Sequence, residues 1–212
     1  LAEGDLFATL LVFYVALTVL TLLALKLMRT LFPFPYGEFS ARDHPAICYR
    51  WNLYGFLCIT HLYLHYQNGL LPYPLKKLFC WLLGTHFDSG KGLIGMGGML
   101  LDHFAVSVGE GAIVGHDALI LPHAVTVDGL VLKPIRLERG SVIGPRTVIM
   151  PGVVVGENSY VEALSLVTMD TRIPPNEVWG GIPARKIAEL PPPAFGTAKI
   201  FPTTTGDVVA TA

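Results

Sequence analysis

The sequence predicts a mainly β fold built around a parallel β-helix, and three observations carry that prediction. Between Leu137 and Thr168 the chain reads in sixes: LERGSV, IGPRTV, IMPGVV, VGENSY, VEALSL, then VT. The first place of each six is a large aliphatic, Leu137, Ile143, Ile149, Val155, Val161 and Val167; the fifth is small or β-branched, Ser141, Thr147, Val153, Ser159 and Ser165. The same phase runs upstream through VGEGAI, VGHDAL and ILPHAV, led by Val108, Val114 and Ile120, with Ala112, Ala118 and Ala124 fifth. A fixed short period marks a solenoid, in which each repeat buries its apolar residue only against neighbouring coils. Three sixes make a triangular coil, so every leading aliphatic points at one axis. An α-helix would need apolar residues at i, i+3, i+4 and i+7, and Gly144, Pro145, Pro151, Gly152 and Gly156 would break it.

Composition sets the outer bounds. The 212 residues carry 15 Lys+Arg against 16 Asp+Glu, which argues against a nucleic-acid surface. Hydrophobic content of 52% and a mean hydropathy of +0.53 point to a membrane part. Cys48, Cys58 and Cys80 are an odd set, all ahead of the coil, which fits a reducing compartment rather than a disulfide framework. The chain opens on Leu1 rather than Met, consistent with a segment of a longer protein.

Residues 1–32 are expected to form a transmembrane helix. Leu6 to Leu25 is uncharged and long enough to cross a bilayer. It exceeds a signal-peptide core, no small-residue cleavage site follows it, and Asp5 can cap its start. Glu3 and Asp5 precede the run while Lys26, Arg29, Arg42 and Arg50 follow it. The positive-inside rule then puts the rest of the chain on the cytoplasmic side of the inner membrane.

Residues 33–87 open on a turn-prone linker, Pro33, Pro35 and Gly37. Trp51 to Tyr66 is apolar but interrupted by Asn52, Thr60, His61 and His65, and Leu75 to Leu83 is short and carries Lys76 and Lys77. Neither makes a full span. Trp51, Tyr54, Tyr63, Tyr66, Tyr73 and Trp81 favour the headgroup zone, so these segments read as interfacial or re-entrant helices. His61 and His65 would share a helix face as metal-ligand pairs do, yet two residues without a third make a weak motif.

The coil domain is placed at 88–188. GKGLIGMGG between Gly90 and Gly98 lacks the Lys-Ser/Thr ending of a phosphate-binding loop, so its glycines read as tight turns of the first coils. Asp102 and His103 fall at a corner. Between Val125 and Leu137 the rhythm fails while the flanking coils stay in phase. That stretch is therefore extruded as a loop, and insertions in solenoids often build the binding face. His123 stands just before it. Residues 189–212 begin near Pro191-Pro192-Pro193 and read as an extended tail.

After these sixes comes Val178-Trp179-Gly180-Gly181-Ile182-Pro183-Ala184-Arg185-Lys186-Ile187. Register and closing motif, G-x-P-A-[RK], resemble the hexapeptide-repeat superfamily of left-handed β-helix acyltransferases over roughly residues 90–188. Left-handedness is implied by the resemblance alone, because crossovers between parallel strands are otherwise right-handed. The resemblance implies a catalytic histidine just before the excursion, which here is His123. Acyl transfer from a thioester needs a base that titrates near neutrality, and donors for the tetrahedral oxyanion, but no covalent nucleophile. The coil contains no cysteine. His116, in the third slot of VGHDAL, is the rival base.

By the same resemblance, acetyl-CoA or another acyl-CoA would lie in a groove between subunits. It would contact Pro145, Ala163 and Thr168, with Arg185 and Lys186 at its phosphates. Two departures stand out: Pro145 has no N–H, and Met169 stands where a Lys is common. No metal is expected. The implied protein is a membrane-bound homotrimer moving an acyl group to a hydroxyl or amine of an envelope sugar or lipid-linked precursor. Other readings stay open. One is a γ-type carbonic anhydrase using His103, His116 and His123, although that family spaces two ligands five apart and these stand seven apart. Another is a non-catalytic trimeric scaffold or subunit of a larger membrane complex. A third is the terminal module of a nonribosomal-peptide-synthetase-like protein.

Overall fold

The structure, a computed structural model, describes residues 3–58, 73–89 and 91–191. The His61 and His65 pair, Gly90 and the tail past residue 191 lie outside the described residues.

The coil has three parallel faces. One stacks β2 (His86–Phe87), β5 (Val106–Val108), β10 (Ile135–Leu137), β13 (Val154–Val155) and β16 (Arg172–Ile173). The second stacks β3 (Leu93–Ile94), β6 (Ile113–Val114), β11 (Val142–Ile143), β14 (Tyr160–Val161) and β17 (Glu177–Gly181). The third stacks β4 (Met99–Leu100), β7 (Leu119–Ile120), β12 (Val148–Ile149) and β15 (Leu166–Val167). The leading aliphatics from Val108 to Val167 are all buried on the axis in one cluster. The fifth-place hydroxyls turn inward at the corners. Thr147 Oγ1 donates to the Glu162 carbonyl at 2.8 Å and Ser159 Oγ to that of Pro174 at 2.6 Å. At these two corners the hydroxyl satisfies backbone that no strand ladder reaches, whereas the buried Ser141 Oγ has no partner among the described residues. The coil begins at His86 and closes with β18 (Ala184–Glu189), which turns back antiparallel on β17.

The excursion after His123 is ordered. β8 (His123–Val125) and β9 (Gly129–Leu132) form an antiparallel hairpin. β1 (Gly37–Ser40), from the linker, pairs along its other edge. Lys133 Nζ ties the hairpin base to Asp170 at 2.7 Å and to Glu38 at 3.5 Å. Ala124 leaves the coil with the hairpin and is only half-buried, which ends its place in the sixfold pattern.

Helix α1 (Glu3–Leu31) includes Asp5 within its length. Leu6–Leu31 is long and apolar enough to cross a membrane, and only 6% of its apolar window is buried inside the protein. Its C-terminal part docks on the body. Leu25 is fully buried with Tyr54, Leu83, Leu130 and Leu132, and Arg29 Nη2 donates to the Leu82 carbonyl at 3.0 Å. Gly84, at φ +112°, makes room for that guanidinium, since a Cβ there would stand 1.5 Å from Nη1.

Helix α2 (Pro45–Leu57) opens on Pro45, where a missing N–H costs no helical bond. Its aromatics depart from the headgroup expectation. Tyr54 is 1% exposed and its hydroxyl donates to the Leu83 carbonyl at 3.0 Å, inside a ring cluster with Phe34 and Phe104. Trp51 turns toward the coil. Helix α3 (Tyr73–Leu83) covers the first coil. Buried Lys76 donates to the carbonyls of Gly95 at 2.7 Å and Gly98 at 3.3 Å, Lys77 donates to that of Ser89 at 3.1 Å, and Cys80 joins the coil core. The lysines thus face the protein, while Leu75, Leu78 and Trp81 are exposed.

Candidate active site

The site forms where the third face ends and the chain leaves the coil. Asp102 follows β4 in the left-handed region, at φ 43° and ψ 57°, a conformation that aspartate tolerates better than most residues. It starts the short 3-10 turn His103–Ala105. His123 begins β8 one coil later. The turn directs the Asp102 carboxylate at the imidazole, and His123 Nδ1 donates to Asp102 Oδ2. Trp51 Nε1 donates to the other oxygen, Oδ1, at 2.9 Å. The indole also meets the imidazole edge to face at 4.6 Å between centroids.

The Asp102 side chain is 3% exposed and that of His123 19%. A buried carboxylate needs partners, and here it has two donors. Holding Nδ1–H fixes the tautomer that leaves the Nε2 lone pair as the acceptor. A histidine so held can take a proton from a hydroxyl or amine and return it to a leaving group.

His123 and Asp102 line a cavity of about 320 Å³ roofed by α2 and walled by Phe56, Leu83, Met99, Leu100 and Leu101. His103, at its edge, is buried with Nδ1 2.9 Å from Thr85 Oγ1. Burial, and then the nearby Arg29 charge, push its pKa down to about 3, so it is neutral at ordinary pH. Burial pushes the Cys58 thiol up to about 12. The cavity therefore offers no thiolate.

His116 lies elsewhere, on the corner between the second and third faces, with its side chain 56% exposed and Nε2 3.2 Å from Asp117. Pro145 and Ala163 stack at that corner: Arg146 N–H donates to the His116 carbonyl, and Leu164 N–H to that of Pro145, each at 2.9 Å. Thr168 follows β15 on the edge that carries His123. Arg185 is exposed on β18, and Lys186 is tied to Glu177 at 2.8 Å and Glu189 at 2.6 Å. A single chain thus separates His123 from the corner of Pro145 and Ala163. The three histidines of the metal alternative also go to separate partners, and no group of three His, Cys, Asp or Glu suited to a metal is found among the described residues. Sequence reasoning missed Asp102 and Trp51 as partners of His123.

No protein-family model matches the chain. It is 33% identical over 98 residues to galactoside O-acetyltransferase of Escherichia coli, covering 43% of this chain and 47% of that protein. It is 39% identical over 83 residues to mitochondrial gamma carbonic anhydrase 2 of Arabidopsis thaliana, covering 39% and 26%. It is 29% identical over 149 residues to delta-poly-L-ornithine synthetase of Acinetobacter baumannii, covering 58% and 11%. The chain thus spans less than half the length of each of these relatives. Among solved structures, a maltose O-acetyltransferase from Clostridium difficile shares the fold, with TM-score 0.54, 20% identity, and 74% of this chain and 94% of that one covered. So does a hexapeptide-repeat acetyltransferase from Vibrio cholerae, with TM-score 0.50, 24% identity, and coverage of 74% and 97%. The relatives matched are thus an acetyltransferase, a carbonic anhydrase and a synthetase, each over part of its length, and the two solved structures show a shared fold.

Proposed function

We propose that the chain is a membrane-bound acyltransferase that moves an acetyl or other acyl group from acyl-CoA to a hydroxyl or amine of an envelope sugar or lipid-linked precursor. The single observation that carries this reading is the Trp51–Asp102–His123 arrangement. It holds one imidazole nitrogen and leaves the other at a cavity. His123 Nε2 takes the acceptor proton as the oxygen or nitrogen attacks the thioester carbon. The C–S bond breaks, and the proton goes to the departing thiolate. Similarity to galactoside O-acetyltransferase supports acetyl transfer. The apolar α1 and the outward face of α3 support a membrane location, and the basic residues that follow the apolar run, Lys26, Arg29, Arg42 and Arg50, support a coil on the cytoplasmic side.

The active unit is a homotrimer in this reading. His123 and the Pro145–Ala163 corner lie on different edges, so one cofactor touching both needs a second chain. Exposed Met96, Leu164 and Ile182 along that corner supply apolar surface for it. Pro145, Ala163, Thr168 and Arg185 line the CoA groove; Lys186, held by two glutamates, contributes less. The test is acyl-CoA-dependent transfer by protein purified in detergent. His123→Ala should cut turnover roughly 10²–10⁴-fold with acyl-CoA binding retained, while His116→Ala stays near wild type. Full turnover in folded His123→Ala overturns the assignment, and a purely monomeric native mass overturns the shared groove.

A further inference from the structure

The cavity beneath α2 has a composition that selects among acceptors. Its volume, about 320 Å³, falls in the lower part of the roughly 300–1,000 Å³ range of small-ligand sites. Its polar groups are few and engaged. Asp102 serves Trp51 and His123, the Tyr54 hydroxyl donates to the Leu83 carbonyl at 3.0 Å, His103 lies against Thr85, and Asn52 Nδ2 donates to the Cys48 carbonyl at 3.0 Å. The remaining wall is hydrocarbon and sulfur. A sugar ring placed there would leave several hydroxyls without partners, each a net loss against water. A ligand with one nucleophilic head and an apolar body loses nothing of that kind.

We propose that this cavity is an acceptor subsite for an amphiphile, a hydroxyl or amine at the end of an alkyl chain. This rests on the acyl-transfer reading and, of its two acceptor classes, keeps the lipid-linked one and drops the free sugar. The head meets His123 Nε2, and the chain lies against Phe56, Met99 and Leu101. The roof helix α2 packs on the end of α1, whose remaining length is apolar and exposed, so the cavity stands beside the surface where amphiphiles collect. In the reaction the head group loses its proton to Nε2, its oxygen or nitrogen bonds to the acyl carbon, and CoA leaves as the thiol.

Gly55 supplies the variant that tests this. It lines the cavity from α2, and a Cβ at its position meets nothing within 4 Å. Gly55→Leu therefore fills the space, with a gain rather than a loss in helix propensity. Two readouts are combined on the full chain in detergent. The first is acetyl transfer from acetyl-CoA to primary alkylamines of two to ten carbons. The second is photo-cross-linking by a decylamine carrying a mid-chain diazirine, mapped by peptide mass. KM should fall up to about four-fold per added methylene until the cavity is full. The cross-link should map to Met99–Leu101, and Gly55→Leu should abolish both the gain per methylene and the cross-link. A length-independent KM with a cross-link indifferent to Gly55→Leu overturns the proposal. So does a length preference that appears on the acyl-CoA series instead, which would make the cavity the acyl pocket. A Gly55-sensitive cross-link without any transfer would support the amphiphile site and reject the acyltransferase reading.

Discussion

Trp51 Nε1 donates to Asp102 Oδ1 at 2.9 Å across 51 residues of sequence, and the opposite oxygen of that carboxylate holds His123. A helix from the apolar N-terminal region thereby sets the orientation of a coil histidine.

Trp51→Phe keeps the ring against His123 and deletes only the N–H. Losing one hydrogen bond to a charged group, about 1.5–3 kcal/mol, should lower kcat roughly ten-fold or more, leave acyl-CoA binding unchanged and move the pH profile. Asp102→Asn should be more severe, because the amide can hold the wrong tautomer. Rates measured from pH 5.5 to 9 check both. An unaltered profile in Trp51→Phe would mean the indole only packs.

His103 makes stability pH-dependent. Its folded pKa, about 3, lies below the ordinary histidine value of 6.5. The unfolded chain therefore binds the extra proton first, and stability is fully present above pH ~6.5 and lost progressively as pH falls toward 3. Thermal unfolding midpoints should drop between pH 7 and 5. His103→Gln should flatten that slope, provided it folds.

Lys76 holds α3 onto the coil through the Gly95 and Gly98 carbonyls. Lys76→Met keeps the stem but strips both acceptors of this donor, at a cost of about 1–3 kcal/mol. Lys77→Met, at a half-buried site with one carbonyl partner, should cost less. Denaturant midpoints of the two variants side by side decide it.

Membrane attachment can be dissected without damaging the fold. A cut at residue 32 would remove Leu25 and Arg29, which are packed against the body. Deleting residues 1–17 leaves those contacts and shortens the apolar run below the roughly 20 residues a span needs. The shortened protein should be extractable by carbonate yet still bind vesicles through Leu75, Leu78 and Trp81. Unchanged resistance to extraction would argue against α1 as the anchor.

The coil was legible because its period is strict. Each leading aliphatic from Val108 to Val167 is buried where its place in the six puts it. The hairpin was legible only as a failure of rhythm: its partner strand β1 comes from a linker with no strand pattern of its own. His123 was located by its place beside that failure. Its partner Asp102 was not, since the pairing depends on a left-handed turn that brings together residues 21 apart. Trp51 was harder still. Among so many aromatics in an apolar segment, its indole looked like one more headgroup residue, and only the tertiary fold distinguishes it from Trp81.

The clasp between β1 and β9 also imposes an order on assembly. Gly37 pairs with Leu132 and Ser40 with Gly129, so roughly ninety residues separate the two strands, several seconds of synthesis at about 5–20 residues per second. Until then β1 is an open edge attached to an apolar helix, and the early coils must grow beside it unaided. A ribosome stalled before Gly129 would therefore display the helix and the first rungs with the clasp undone, a state in which chaperones and proteases meet a strand still waiting for its mate.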